Sequence, residues 1–248
     1  MNILLLMAGS SQAFKDAGYE YPKNLVEIDG APLVQRVMEG LNTLRSPDTK
    51  FIYAIPRDEN RRVHTGQVIE LLDPKATIVE VSSQGGGAAC TAMLAIEHIN
   101  NDEPLIIING DIIINYDLAA VIKDFQSRDL DGGVTVFRDV HPRWSFIKVD
   151  KDGLAIEVAE KRPISDLATT GFYYYKRGSD FIKAAATMLQ KDASVDGKFY
   201  VCPAYNEMIL KHQRIGTYSI PKSAYYSLKT PHDIKTLEEH LTSKHQTV

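Results

Sequence analysis

The sequence predicts one α/β domain of 248 residues, built on a mixed, mainly parallel sheet with helices on both faces. Three observations lead there. First, short apolar runs rich in β-branched residues (Asn2–Met7, Lys50–Ile55, Thr77–Val81 and Leu105–Asn109) alternate with amphipathic stretches at Pro32–Leu44, Arg61–Leu72 and Ala88–Ile99. A βαβα rhythm of this kind implies a parallel sheet covered on both sides. Second, the pattern changes after residue 130 to consecutive strands, Gly133–Phe137, Ser145–Val149, Ala155–Glu160 and Gly171–Tyr175, with Asp152-Gly153 placed as a hairpin turn. Third, helical spacing returns at Asp180–Leu189, Pro203–Lys211 and Asp233–Leu241. Pro32 suits the first turn of its helix, where no amide hydrogen is needed. No linker, low-complexity tract or repeat interrupts the chain, so 1–248 reads as a single domain whose halves, 1–130 and 131–248, differ in pattern.

Composition narrows the function. The chain is 44% apolar and 24% charged, ordinary for a globular protein long enough to bury a core. A net charge of −4 argues against general nucleic-acid binding, which needs a basic face. Cys90 and Cys202 make neither a disulfide framework nor a zinc site, and a reduced, cytoplasmic setting is the expectation. The apolar start lacks a basic flank and a full hydrophobic segment, so it reads as a first strand rather than a signal peptide. No segment is long and apolar enough to suggest a bilayer span, and a membrane partner is not expected.

The chemistry concentrates at strand ends. Ile3–Met7 empties into Ala8-Gly9-Ser10-Ser11, a small-residue loop, and Pro22-Lys23 follows. Loop amides at the carboxyl end of a buried strand meet phosphate oxygens in open α/β sheets, and a lysine adds a point charge. Asn109-Gly110-Asp111 closes another apolar strand; a carboxylate there suits Mg2+, which takes one or two carboxylates plus phosphate oxygens. A plain Gly-Asp turn is the competing reading. Ser82-Ser83-Gln84-Gly85-Gly86-Gly87 leads into a helix near Ala88; its glycines allow close backbone approach to a flat base, or simply make a flexible loop. Glu160-Lys161 ends a strand, and Thr170-Gly171 opens the next. Glu160 suits sugar hydroxyls and Lys161 a phosphate, against the ordinary alternative of an exposed ion pair. Arg143 and Trp144 line a pocket by charge and stacking, or cover a sheet edge. Phe199–Glu207 is explained mainly by packing and a helix start, with Asn206 or Glu207 reaching a ligand as a further option. No nucleophile elbow, His-x-x-x-His pair or Walker loop appears.

Ala8-Gly9, Phe14 and Pro22-Lys23 resemble the signature of the sugar-phosphate nucleotidyltransferases, and Glu160-Lys161 followed by Thr170-Gly171-Phe172-Tyr173 is similar to a second motif of that family. The chain looks most like the short bacterial members associated with capsule and surface polysaccharide. The resemblance implies a Rossmann-like fold of the GT-A kind, with 1–130 binding nucleotide and 131–248 binding the acceptor. It implies an enzyme that joins a nucleoside triphosphate to a sugar 1-phosphate or similar phosphomonoester and releases pyrophosphate. On that reading Lys23, Asp111 and Lys161 are catalytic and Asp111 holds Mg2+. Ala8, Gly9, Ser10, Ser11, Lys23, Gly85, Gly86, Gly87 and Gly110 bind the nucleotide; Glu160, Lys161, Thr170, Gly171, Arg143 and Trp144 bind the acceptor.

The chain departs from the pattern at three places. Ser11 replaces a glycine, Ala13 replaces the arginine that faces the leaving pyrophosphate, and Lys229 stands about where a second metal-binding Asp is expected. Lys15, Arg143 or Lys229 are the candidates to restore the missing charge. Asp233 reads as the cap or first-turn acid of the last helix. Two other classes stay open: a protein that binds nucleotide or sugar phosphate without this reaction, and a glycosyltransferase using a preformed nucleotide-sugar. The base, the acceptor and the oligomeric state, a homo-oligomer included, are not specified.

Overall fold

Asn2–Leu6 is buried along its whole length and lies between two parallel neighbours, as a run with no polar alternation should. The computed structural model describes residues 1–82 and 85–245. In chain order its strands are β1 (Asn2–Leu6), β2 (Glu27–Ile28), β3 (Ala31–Pro32), β4 (Lys50–Pro56), β5 (Thr77–Val81), β6 (Leu105–Asn109), β7 (Ile112–Ile114), β8 (Gly132–Arg138), β9 (Ser145–Val149), β10 (Ala155–Glu160), β11 (Leu167–Tyr175), β12 (Ile215–Ser219) and β13 (Tyr225–Ser227). Nine of them form one sheet in the order β10-β9-β11-β6-β1-β4-β5, with β8 beside β11 and β12 beside β8. β5, β4, β1 and β6 run parallel; β11 joins β6 antiparallel and begins the mixed part. One sheet therefore carries both halves of the chain, and the expected fold class holds.

Alternation along β1 divides the core. Ile3, Leu5 and Met7 enter one apolar cluster, and Leu4 and Leu6 the other. Helices Leu33–Gly40 and Leu118–Ser127 cover the first face. Each buries residues at helical spacing: Leu33, Val34, Val37 and Met38 in one, Leu118, Val121, Ile122 and Phe125 in the other. Helices Ala88–Met93, Gly178–Gln190 and Ala204–Ile209 cover the opposite face. Tyr205 pins the last of these by donating to the carbonyls of Gly133 and Tyr174, at 2.9 and 2.8 Å. A third cluster, Phe137, Trp144, Phe146 and Ala168, lies under Tyr225.

Several boundaries differ from the sequence expectation for local reasons. Pro32 pairs in β3 and precedes the helix Leu33–Gly40 instead of opening it. Arg61–Leu72 is two helices, Arg57–Val63 and Thr65–Leu72, broken at His64, whose φ is 56°. Ala88–Ile99 also divides, into Ala88–Met93 and Ile96–Ile99. The helix Leu118–Ser127 was not anticipated, although Asp117 caps it by accepting from the amides of Ala119 and Ala120. The Asp152-Gly153 turn is present: Asp150 accepts from the amides of Asp152 and Leu154, and β9 and β10 pair on either side.

Candidate active site

Register brings the strand ends together. Leu6 of β1 pairs with Asn109 of β6, so the loop after Met7 and the turn at Gly110-Asp111 emerge side by side. Phe172 of the antiparallel β11 pairs with Ile108, which sets Thr170-Gly171 at the same sheet edge. The register of β11 with β8 shifts between Thr169 and Tyr173, an irregularity that re-aims the side chains there. Glu160, at the end of β10, faces Ser145 of β9, whose hydroxyl donates to its carboxylate.

These ends enclose a cleft of about 350 Å³. Ala8, Gly9, Ser10, Gly85, Gly87 and Asp111 line it, together with Arg143, Trp144, Glu160, Thr170 and Gly171. Each of these residues is one that the sequence singled out. Sequence reasoning did not place Lys198, Tyr200 and Tyr225 there, although they line it. Lys198 and Tyr200 follow the turn at Asp196-Gly197, a basic-aromatic pair after a turn that would have been a usable signal.

Lys23 and Asp111 form a nearly buried pair beneath the loop. Lys23 Nζ lies 2.7 Å from Asp111 Oδ2, with side-chain exposures of 4% and 14%. Burial pushes the Asp111 carboxyl up. The charges of Lys23 and Lys229 and the Lys23 hydrogen bond outweigh it and hold the carboxyl below its ordinary 3.8. A Cβ on Gly9 would stand 2.9 Å from the Lys23 ammonium, so glycine lets the loop backbone lie over this pair without moving the lysine. Lys23 is therefore under the floor of the cleft rather than part of its lining. Loss of either residue is expected to destabilise the fold, because the partner left behind is a desolvated charge.

Asn24 braces the same segment. Its side-chain amide donates to the Met7 carbonyl at 3.0 Å and to Glu59 at 2.8 Å, and Thr65 donates to Glu59 at 2.9 Å. Burial raises the Glu59 carboxyl despite those hydrogen bonds and the charges of Lys23 and Arg62. Ser11 serves this bracing too: its hydroxyl accepts from the Lys23 amide at 3.1 Å, and it does not line the cleft. Gly110 is likewise packed, its amide bonded to the Leu6 carbonyl at 2.9 Å.

The glycine loop is stitched to the chain at Phe199. The Phe199 amide donates to the Gly86 carbonyl at 2.7 Å, and the Ala89 amide to the Phe199 carbonyl at 3.0 Å. Gly86 is spent on this stitch; Gly85 and Gly87 face the cleft. Ser83 and Gln84 lie outside the described residues. Gly87 has φ of 109°, and a Cβ there would meet the Phe199 carbonyl oxygen at 2.4 Å. Gly87→Ala is expected to cost about 1–3 kcal/mol in a denaturant melt, from backbone strain alone, and to weaken nucleotide binding.

Across the cleft, burial raises the Glu160 carboxyl, opposed by the Ser145 hydrogen bond and the charges of Lys229 and Lys161. Arg143 lies over the Trp144 ring, 4.1 Å from its centroid, and Trp144 packs edge-on against Phe137 and Tyr225. Trp144 is thus both a core residue and a pocket wall. Lys161 is not brought in: its ammonium pairs with Asp196 at 2.8 Å and lies over Tyr200, on exposed surface. Asn206 bonds the backbone of Val158, and Glu207 pairs with Lys191 at 2.7 Å, so neither reaches the cleft. Of the candidate replacement cations, Arg143 and Lys229 line the cleft; Lys15 does not. Asp233 is the first-turn acid of the last helix, accepting from the Thr230 amide and hydroxyl, each at 2.8 Å, while the Thr230 hydroxyl accepts from the Asp233 amide.

Cys90 and Cys202 are both free. Among the described residues no helix is long and apolar enough to cross a membrane, and no three or more His, Cys, Asp or Glu gather to hold a metal. Of the two carboxylates that line the cleft, Asp111 and Glu160, Asp111 is the one whose pKa is lowered, toward the ionised form. That carboxylate fits an ion such as Mg2+ that completes its shell with substrate oxygens and water, and does not fit a closed protein cage.

Known proteins share this fold. Over 96% of the chain, the structure superposes on all of a nucleoside-diphosphate-sugar pyrophosphorylase from Vibrio cholerae, with a TM-score of 0.82 at 24% identity. It superposes on an inositol-1-phosphate CTP transferase from T. maritima over 98% of this chain and 95% of that one, with a TM-score of 0.76 at 15% identity. These likenesses show the fold. In sequence, 71% of the chain is similar to the bifunctional protein GlmU of Methanococcus aeolicus, at 27% identity over 179 residues, and that match spans 40% of the relative. The UTP–glucose-1-phosphate uridylyltransferase AglF of Haloferax volcanii is 24% identical over 184 residues, covering 71% of this chain and 72% of the relative. Residues 2–214 match the profile of the family described as nucleotidyl transferase. With most of its length inside that match, the chain belongs to the nucleotidyl transferase family.

Proposed function

We propose that the protein transfers a nucleotidyl group from a nucleoside triphosphate to a sugar 1-phosphate or similar phosphomonoester, releasing pyrophosphate. One observation carries this reading. A single cleft presents Arg143, Lys198 and Lys229, none in an ion pair among the described residues, beside the carboxylates Asp111 and Glu160. Cations without an ion-pair partner suit two phosphorylated molecules held together, and carboxylates suit a metal and hydroxyls. The family relatives support the same chemistry, and supply of precursors for surface polysaccharide is part of the proposal.

The acceptor phosphate carries its second negative charge near neutral pH, with a pKa of about 6, so no general base is needed to make the nucleophile. One of its oxygens attacks the α-phosphorus. The bond from that phosphorus to the oxygen bridging α and β breaks, and pyrophosphate leaves with the electron pair. The difficulty is bringing two anions into line, so positioning and charge supply the catalysis. The loop Ala8–Ser10 lies along the triphosphate, and the buried Lys23 ammonium adds positive potential beneath it. Gly85 and Gly87 face the base. Glu160 accepts from acceptor hydroxyls, with Thr170-Gly171 beside it, and Arg143 and Lys198 take the acceptor phosphate in place of the outward-facing Lys161. Asp111 would hold Mg2+, which supplies charge neutralisation on the triphosphate oxygens. Residues up to 130 serve the nucleotide and those beyond serve mainly the acceptor.

A pyrophosphate-release assay over a panel of triphosphates and phosphomonoesters, with Mg2+, tests the reading. Release with at least one pair is expected. Nucleotide binding with no release from any pair would favour a binding protein, and turnover only with a nucleotide-sugar and a glycan would favour a glycosyltransferase.

A further inference from the structure

Lys229 stands where neither its sequence neighbours nor ordinary surface chemistry explain it. The ladder between β13 and β7 pairs Ser227 with Ile112, and the Leu228 amide donates to the Asp111 carbonyl at 2.8 Å. The residue after Leu228 is thereby delivered to the turn that carries Asp111. From the other side Tyr225 stacks on Phe137 with centroids 5.2 Å apart, and packs edge-on against Trp144 at 5.7 Å. The backbone under Lys229 is therefore held between a strand ladder and an aromatic cluster. Its side chain lines the cleft, exposed, with no ion pair among the described residues. Its charge is felt by both Asp111 and Glu160, the two carboxylates of the cleft lining.

We propose that Lys229 is a catalytic residue that contacts the phosphate oxygens where the triphosphate and the acceptor phosphate meet. The inference rests on the nucleotidyl-transfer reading of the cleft. An ammonium there is a permanent cation: it attracts the triphosphate before any divalent ion arrives, and it offsets charge that builds up as the two anions approach. Lys15 and Lys161 do not line the cleft; Lys198 does, but no charge of Lys198 acts on Asp111 or Glu160 as that of Lys229 does.

Calorimetric titration of the full chain with CTP, UTP, dTTP and inorganic pyrophosphate, in Mg2+ and in EDTA, tests this before and after Lys229→Met. In the variant, affinity for the best-binding triphosphate is expected to fall about tenfold or more, as for a lost hydrogen bond to a charged group, with the larger loss in EDTA. Lys229→Arg should recover part of it, and raising salt should weaken the wild type more than Lys229→Met. The thermal midpoint should stay put, since the side chain is exposed. Lys176→Met, whose ammonium pairs with Asp129 away from the cleft, is the control and should bind as wild type does. Unchanged affinity in Lys229→Met under both conditions overturns the assignment and leaves the proposed function standing. Absence of triphosphate binding to the wild type under every condition overturns the proposed function and this inference with it.

Discussion

Asp111→Asn is expected to abolish pyrophosphate release and to cost about 3 kcal/mol of stability, because it leaves the Lys23 ammonium buried without its counter-charge. Lys23→Met should do comparable damage from the other side. The double variant Lys23→Met/Asp111→Asn should be less destabilised than the two single effects added, by about 1.5 kcal/mol or more, since both desolvated charges are then gone. Urea melts of the four proteins measure this directly. Burial and the two lysines pull the Asp111 carboxyl in opposite directions, and the lysines win. Its folded pKa therefore lies below the ordinary 3.8. The stabilisation it brings is complete above 3.8 and is lost as the pH falls through the folded value, so the wild type should lose more stability on acidification than Asp111→Asn does. Additive melts together with wild-type turnover in Asp111→Asn would sink both the pair and the metal assignment.

Glu160→Gln is expected to move activity and stability in opposite directions. The glutamine oxygen can still accept from Ser145, but it offers a neutral acceptor to the substrate. Loss of a charge-assisted bond should lower kcat/KM about 10- to 100-fold. Burial raises the folded pKa of Glu160 above its ordinary 4.5. The folded chain then holds that proton where the unfolded chain has released it. Stability falls as the pH rises from 4.5 through the folded value, and stays lowered at neutral pH. Glu160→Gln removes that cost, so its thermal midpoint at pH 7 should exceed the wild type's, and the gap should close below pH 4.5. A midpoint that drops at pH 7, with kcat/KM unchanged, would refute the role given to this carboxylate.

Strand-end chemistry was legible wherever a motif occupied contiguous residues. Ala8-Gly9-Ser10, Asp111, Gly85 and Gly87, Glu160 and Thr170-Gly171 were named from local pattern, and all face one cleft. The misses share a cause. Ser11 and Gly110 sit inside the correct motifs, but their polar atoms are turned to bracing, which depends on which side of a loop meets β1 or Pro22-Lys23. Lys161 lies next to Glu160 in sequence, yet its positive φ of 55° sends it outward to Asp196. Lys198 and Tyr225 come from segments whose local sequence reads as turn and short strand.

Sequence alone determined the alternation of buried strands and amphipathic helices, the change of pattern near residue 130, and the residue types gathered at strand ends. Those are properties of period and composition, which a chain carries before it folds. Tertiary structure decided which ends meet. The Leu6–Asn109 register, the return of β11 antiparallel to β6, and the pairing of β13 with β7 set Gly9, Asp111, Gly171 and Lys229 around one space. Contacts between residues so far apart in the chain depend on strand order and register, and no local pattern encodes either.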